Sequence, residues 1–220
     1  MAIAEALMAQ KTPLTKKLLN QYLKIHAHWF LDYVFIHINK TAGSSIEKSL
    51  KLPSEHKTAR EKMQQLGRKE WSRRFSFAFV RNPWDKVVSQ YYFRTTTNQT
   101  ELGKNPIPFD EWVKRTYGEQ DPEYYDKPKM FQPQVDWLID SEGKIAVDFI
   151  GRFENLSADF EEVSTRLGIE ATLPHFKKSN RRAIRNYRGC YDISTREIIA
   201  DWFAVDIKEF GYSFDNCQVP

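Results

Sequence analysis

Cysteine is scarce in this chain: Cys190 and Cys217 are the only two among 220 residues. Two thiols make no disulfide framework, so a packed core must hold the fold, and a reducing compartment is expected. Long apolar runs are missing too. None approaches the ~20 residues of a membrane span, and the N-terminus lacks the charged start and apolar stretch of a secretory signal. A cytoplasmic location is the default expectation. No internal repeat or linker-like composition divides the chain. A strong excess of one charge is likewise absent. The formal net charge is only +4, whereas a nucleic-acid binder concentrates a larger excess on one face. The mild surplus suits small anions.

What is present is a chain that is 41% hydrophobic and 14% aromatic, ample for a core and far from disorder. Its pattern predicts a single α/β domain with a central, mainly parallel sheet flanked by helices. Residues 1–32 form an N-terminal helical segment with a break or fresh start at Pro13, residues 33–214 the domain, and 215–220 a tail. Short apolar runs predict strands at 33–38 and 75–80, and two more, or a hairpin, at 135–139 and 144–150. Helices are predicted from the 39–45 turn to Leu50, over 58–67, and from Pro83, with Val87, Val88, Tyr91 and Tyr92 facing inward. Others are predicted over 109–117, 155–167 and 195–203. The polar, proline-bearing stretches 94–107 and 118–133 read as long loops that serve as lids or substrate contacts.

The chemistry concentrates at residues 35–45, Phe-Ile-His-Ile-Asn-Lys-Thr-Ala-Gly-Ser-Ser. A strand ending in a glycine-containing turn before a helix offers backbone N–H groups to an anion. Lys40 adds charge, Thr41, Ser44 and Ser45 add hydroxyls, and Gly43 allows close approach. The order of residues differs from the G-x-x-x-x-G-K-[ST] loop of kinases and GTPases, because Lys40 precedes the glycine and Ala42 takes a usual glycine place. That argues against an ordinary ATPase or kinase. A second anion subsite is predicted where the 75–80 strand ends: Arg81 can fork onto a phosphate and Ser89, over two helical turns later, can donate a hydroxyl. Ligands of open α/β sheets lie outside such strand ends.

Taken in order, residues 35–45 resemble the 5′-phosphosulfate loop of sulfotransferases, and Phe-Val-Arg-Asn-Pro-Trp-Asp-Lys-Val-Val-Ser-Gln-Tyr-Tyr at 79–92 resembles their 3′-phosphate motif. Residues 150–156 and 206–214 are similar to segments of the membrane-type carbohydrate sulfotransferases and their bacterial relatives. Asn39 departs from the proline common there, and no membrane anchor is evident. The resemblance implies a P-loop-like sulfotransferase fold. It implies 3′-phosphoadenosine 5′-phosphosulfate (PAPS) as donor, PAP as product, no metal, and a hydroxyl acceptor, in particular a glycan or other carbohydrate. Lys40 would face the bridging oxygen, Thr41 to Ser45 the 5′ group, and Arg81 and Ser89 the 3′-phosphate. Phe153 would contact adenine or serve as a structural aromatic.

An acceptor hydroxyl needs a base near Lys40. His56, beyond the first helix of the domain, is the choice, with Glu55 in reserve. His37, between Ile36 and Ile38, reads as a satisfied core histidine. The basic stretch 177–188 closes over the donor or meets an anionic acceptor, with Arg181, Arg182 and Tyr187 as picks. Gln132, Gln134 and Trp137 are acceptor-cleft candidates, Trp137 more in keeping with core. Two rivals remain on the sequence alone: a nucleotide-dependent phosphotransferase with an unusual loop, and a non-catalytic nucleotide- or polyanion-binding module.

Overall fold

Three parallel strands, the first two largely buried and the third half-buried, organise the molecule. The computed structural model describes residues 12–173 and 186–215. Helix α1 (Pro13–Phe30) starts where Thr12 caps it and Pro13 fills the first turn. Arg74 grips its far end through the Ala27 and His28 carbonyls, a cation satisfying the last carbonyls of a helix. Leu14, Ile25, Trp29 and Phe30 remain on its outer side, exposed.

Strand β1 (Tyr33–Ile36) pairs with β2 (Phe75–Val80), which pairs with β3 (Phe149–Arg152), in the order β1-β2-β3. The registers are Phe35 opposite Phe77 and Phe79 opposite Gly151. Gly151 is needed because a Cβ there would stand 2.5 Å from the Phe79 ring. Side chains alternate across the sheet. Val34, Ile36, Ala78 and Val80 pack on Trp71, Trp137 and Phe210, whereas Phe35, Phe77 and Phe79 pack on Ile46, Leu156 and Phe160. A third cluster joins Trp84, Val87 and Val88 to Trp112, Tyr117 and Phe203 beside the sheet.

The α/β architecture is as the pattern predicts, and so is β2, residue for residue. Helices α2 (Gly43–Ser49) and α3 (Ala59–Leu66) follow the expected plan, α3 opening with a Thr58–Glu61 capping box and ending at Gly67. Helix α4 (Arg68–Arg73) leads into β2. Helix α5 (Pro83–Thr96) buries Val87 and Val88 but leaves Tyr92 exposed at its surface, against expectation.

The supposed loops are partly helical. The 94–107 stretch holds the end of α5 and a short turn, Gln99–Glu101, and buries Leu102; α6 (Phe109–Val113) continues in a π turn, Lys114–Gly118; α7 (Pro128–Phe131) lies inside the second.

The predicted strand at 135–139 is instead one helical turn, α8 (Val135–Leu138). What remains of the hairpin is one antiparallel bridge, Ile139 to Ile145, and the third strand begins only at Phe149. The cause lies far along the chain: the Asp206 carboxylate accepts the Gln134 and Val135 amides at 2.7 and 2.9 Å, capping a helix with a side chain 72 and 71 residues away. Helix α9 (Leu156–Arg166) covers one face of the sheet; α10 (Ile193–Trp202) and α11 (Ala204–Phe210) close the fold and supply Asp206. Among the described residues no helix is long and apolar enough to cross a membrane.

Candidate active site

Beyond β1 the chain turns through left-handed backbone at Lys40 (φ 68°) and Ala42 (φ 71°). Such conformations cost non-glycine residues on the order of 1 kcal/mol or more, and they cluster at ligand clamps. Thr41 between them is fully buried, its hydroxyl donating to the Ile38 carbonyl at 2.9 Å. It therefore pins the turn, and its side chain does not reach the cleft as the sequence reading supposed. The Ser45 and Ile46 amides fold back onto the Ala42 carbonyl, while the first amides of a helix lack partners within it. Gly43 is enforced by packing. A Cβ on it would fall 1.9 Å from His37 Cδ2.

Arg81 stands where β2 ends. Its Nε and Nη2 both meet Asp85 Oδ2 at 2.8 Å, and Nη1 donates to the Lys40 carbonyl at 3.0 Å. The guanidinium thus bridges the two strand ends, and these bonds leave donors of its fork unspent. Phe153 lies flat against it, ring centroid 3.9 Å from Cζ, an arrangement worth on the order of 1 kcal/mol. Arg81's own amide is held by Gln134 Oε1 at 2.9 Å. Lys40, Gly43, Ser44, Ser45, Arg81, Ser89 and Phe153 line one cleft of ≈ 260 Å³. The residues of the two separately predicted anion subsites therefore share one cleft. Phe93, which the sequence reading missed, forms another wall, 4.1 Å beneath the Lys40 ammonium. It lies four residues after Ser89 on α5, hence on the same helix face.

His56 also reaches this cleft. Its Nδ1 lies 3.1 Å from the His37 carbonyl. A carbonyl can only accept, so Nδ1 carries the hydrogen and Nε2 keeps the lone pair. Burial above all, and the neighbouring His37 ring, push His56 below the ordinary imidazole value, against the pull of the His37 carbonyl and Glu47. The reserve candidate Glu55 faces elsewhere. It pairs with Lys62 and lines a separate small hollow under α1.

A strained turn, a bridging arginine and an imidazole lie in one cleft, and a family comparison gives the chain its class. The model of the sulfotransferase family matches residues 31–213. The chain belongs to the sulfotransferase family. An uncharacterized protein of Archaeoglobus fulgidus is 30% identical over 124 residues, which cover 56% of this chain and 90% of that protein. No solved structure matches.

Not every predicted residue of this sulfotransferase comes to the cleft. Tyr187 is core: its hydroxyl donates to the Phe214 carbonyl at 2.7 Å and its ring meets Phe214 edge-on. Arg181 and Arg182 lie outside the described residues. Gln134 and Trp137 are fully buried. Gln134 is a strut between Arg81 and Asp206 rather than an acceptor contact, donating to the Arg81 carbonyl and to Asp206 Oδ2. Behind the cleft, fully buried Lys86 has an ammonium pushed down to about 8, chiefly by burial and further by Arg81 and Lys40, with Asp206 opposing. His37 is the satisfied histidine that was expected, bonded to Glu47, but it also forms part of the cleft wall. Among the described residues no group of three His, Cys, Asp or Glu side chains could hold a metal ion.

Proposed function

We propose that this sulfotransferase takes its sulfuryl group from PAPS and passes it in line to a hydroxyl, that of a carbohydrate. One observation carries the reading. The Arg81 guanidinium bonds the Lys40 carbonyl, so a fork suited to a phosphate and a turn suited to a second anion are fastened into one cleft. PAPS bears charged groups at both its 3′ and 5′ ends and fits that pairing. The strained turn supports the same fit, since Lys40, Ala42, Gly43, Ser44 and Ser45 all line the cleft.

When bound, PAPS would supply the sulfuryl group and depart as PAP. The chain's part is to hold and to neutralise, because transfers with loose transition states draw their rate from positioning and charge stabilisation. Arg81, with Ser89, binds the 3′-phosphate, and Asp85 orients the fork. Phe153 offers a flat apolar face for adenine beside Arg81. The amides of Gly43 and Ser44, with the Ser44 and Ser45 hydroxyls, hold the 5′ group. Lys40 stabilises the charge that grows on the departing oxygen. His56 Nε2, carrying a lone pair, accepts the acceptor hydroxyl's proton. The carbohydrate acceptor is supported by the likeness of residues 150–156 and 206–214 to carbohydrate sulfotransferases.

A thermal-shift series with PAP, PAPS, ATP and GTP, with and without magnesium, tests this reading. At a hundredfold excess over Kd, PAP should add about 2.7 kcal/mol, on the order of 5–10 °C in Tm. A shift given only by ATP or GTP with magnesium would sink the proposal in favour of a phosphotransferase. A PAP shift without labelled-sulfate transfer to any of a panel of glycans would instead mark a non-catalytic binding module.

A further inference from the structure

His37 in the cleft wall is paired with Glu47 behind it, a carboxylate–imidazole pair that the mechanism above does not use. Glu47, on α2, and His37, just past β1, are each nearly buried, with Oε1 and Nδ1 2.6 Å apart. We propose that Glu47 and His37 form a buried ion pair that stores one proton behind the cleft wall and thereby keeps the adjoining His56 imidazole neutral and receptive. The inference rests on the proposed function only for what the neutral His56 is used for.

Four observations carry it. First, a carboxylate taken out of water without a cation costs several kcal/mol, and the group in contact with Glu47 Oε1 that can supply a positive charge is His37. The other donor to that oxygen is the neutral Glu55 amide, at 3.3 Å. Second, His37 cannot leave its partner. The turn's backbone lies so close to the ring that a Cβ on Gly43 would stand 2.2 Å from Nε2. Third, the His37 and His56 rings are 4.2 Å apart, centroid to centroid. Two positive charges at that distance repel strongly in a partly buried setting, so one proton is shared between two places, and the carboxylate touches only one of them. Fourth, the remaining charges around His56 push the same way or are engaged. Lys129 is bonded to Glu61, Glu55 is paired with Lys62, and Lys40 and Arg81 line the same cleft as cations. When two titratable groups are driven apart in this manner, their acid and base roles are assigned by the environment. Glu47 and His37 are then positioning residues, and His56 alone meets the acceptor.

Glu47→Gln tests the pair, because the direction of one shift decides. In the proposed state the pair is neutral overall, with its cation nearer His56. Removing the carboxylate discharges His37, and the NMR titration midpoint of His56 should rise by about half to one pH unit. If His37 were neutral, the pair would be a net anion, and the same substitution would lower the His56 midpoint. A lowered or unmoved midpoint overturns the proposal. Nitrogen-15 shifts of the wild-type protein near neutral pH provide the second reading, independent of how the variant folds. Both His37 ring nitrogens should appear protonated, and a neutral pattern refutes the pair. The pH profile of kcat/KM separates this from the proposed chemistry. If the His56 midpoint rises in the spectra and the acid limb of the profile does not follow, His56 loses its role as base while the ion pair stands.

Discussion

The ends of β1 and β2 lie side by side and both are suited to an anion, but they are made differently. After β1 the backbone does the work, through left-handed turns at Lys40 and Ala42 and a residue at 43 that tolerates no side chain. After β2 the work falls to one side chain, Arg81, oriented by Asp85, by the Lys40 carbonyl and by the Phe153 ring. A backbone cradle spreads its contacts, so it survives the loss of a hydroxyl and fails when its path is bent. A side-chain fork concentrates them, so one truncation removes it. Lys40 belongs to both halves, its carbonyl serving the fork and its ammonium the cleft.

That shared place makes Lys40→Ala the most severe test. Labelled-sulfate transfer should fall by ~10²–10⁴, as when a preorganised charge-stabilising group is removed, with PAP still bound. Near-normal turnover would remove Lys40 from the reaction. Next comes the fork. Arg81→Ala should weaken PAP by ~2–4 kcal/mol in calorimetry, the cost of truncating one partner of a desolvated charged contact. An unchanged Kd would place the 3′-phosphate elsewhere. The smallest effect should sharpen the contrast within the cradle itself. Gly43→Ala drives a methyl into His37 and should cost about 1–3 kcal/mol of stability by denaturant titration, whereas Ser44→Ala, at an exposed position, stays within ~0.5 kcal/mol. Equal stabilities would mean that the turn's path is not constrained by His37.

Much of this site was legible in the linear pattern because its signals are local. Phe75–Val80 is a continuous apolar run, Arg81 follows it directly, and Pro83 starts a helix. The three facts sit within ten residues and leave little room for another reading. The Lys40-before-Gly43 order was similarly local. The failures share an opposite cause. Val135, Trp137 and Ile139 alternate as a strand would, but the α8 turn is capped by Asp206, a residue no window around 135 contains. Gln134 reads as a polar cleft residue by composition and is in fact the fully buried brace of Arg81. Glu55 and His56 are neighbours in sequence, so spacing alone ranks them equally. The salt bridge from Lys62 on α3 turns Glu55 away, and the His37 carbonyl turns His56 inward. Tyr187 was chosen for the basic company it keeps in sequence, whereas its ring has apolar neighbours in space.

The braces around Arg81 also set a timetable. Its amide is held by Gln134, the amide of Asn82 by Glu154, and the Asn82 side chain by the Ser213 carbonyl, 131 residues later. A ribosome delivers the β1 turn and Arg81 early and their supports last. Contacts of such long separation form late because loop closure precedes any gain from them. The nascent chain therefore carries residues that line the cleft before it carries all the braces that hold them. The braces of this strand end are complete only once the Ser213 carbonyl has reached Asn82.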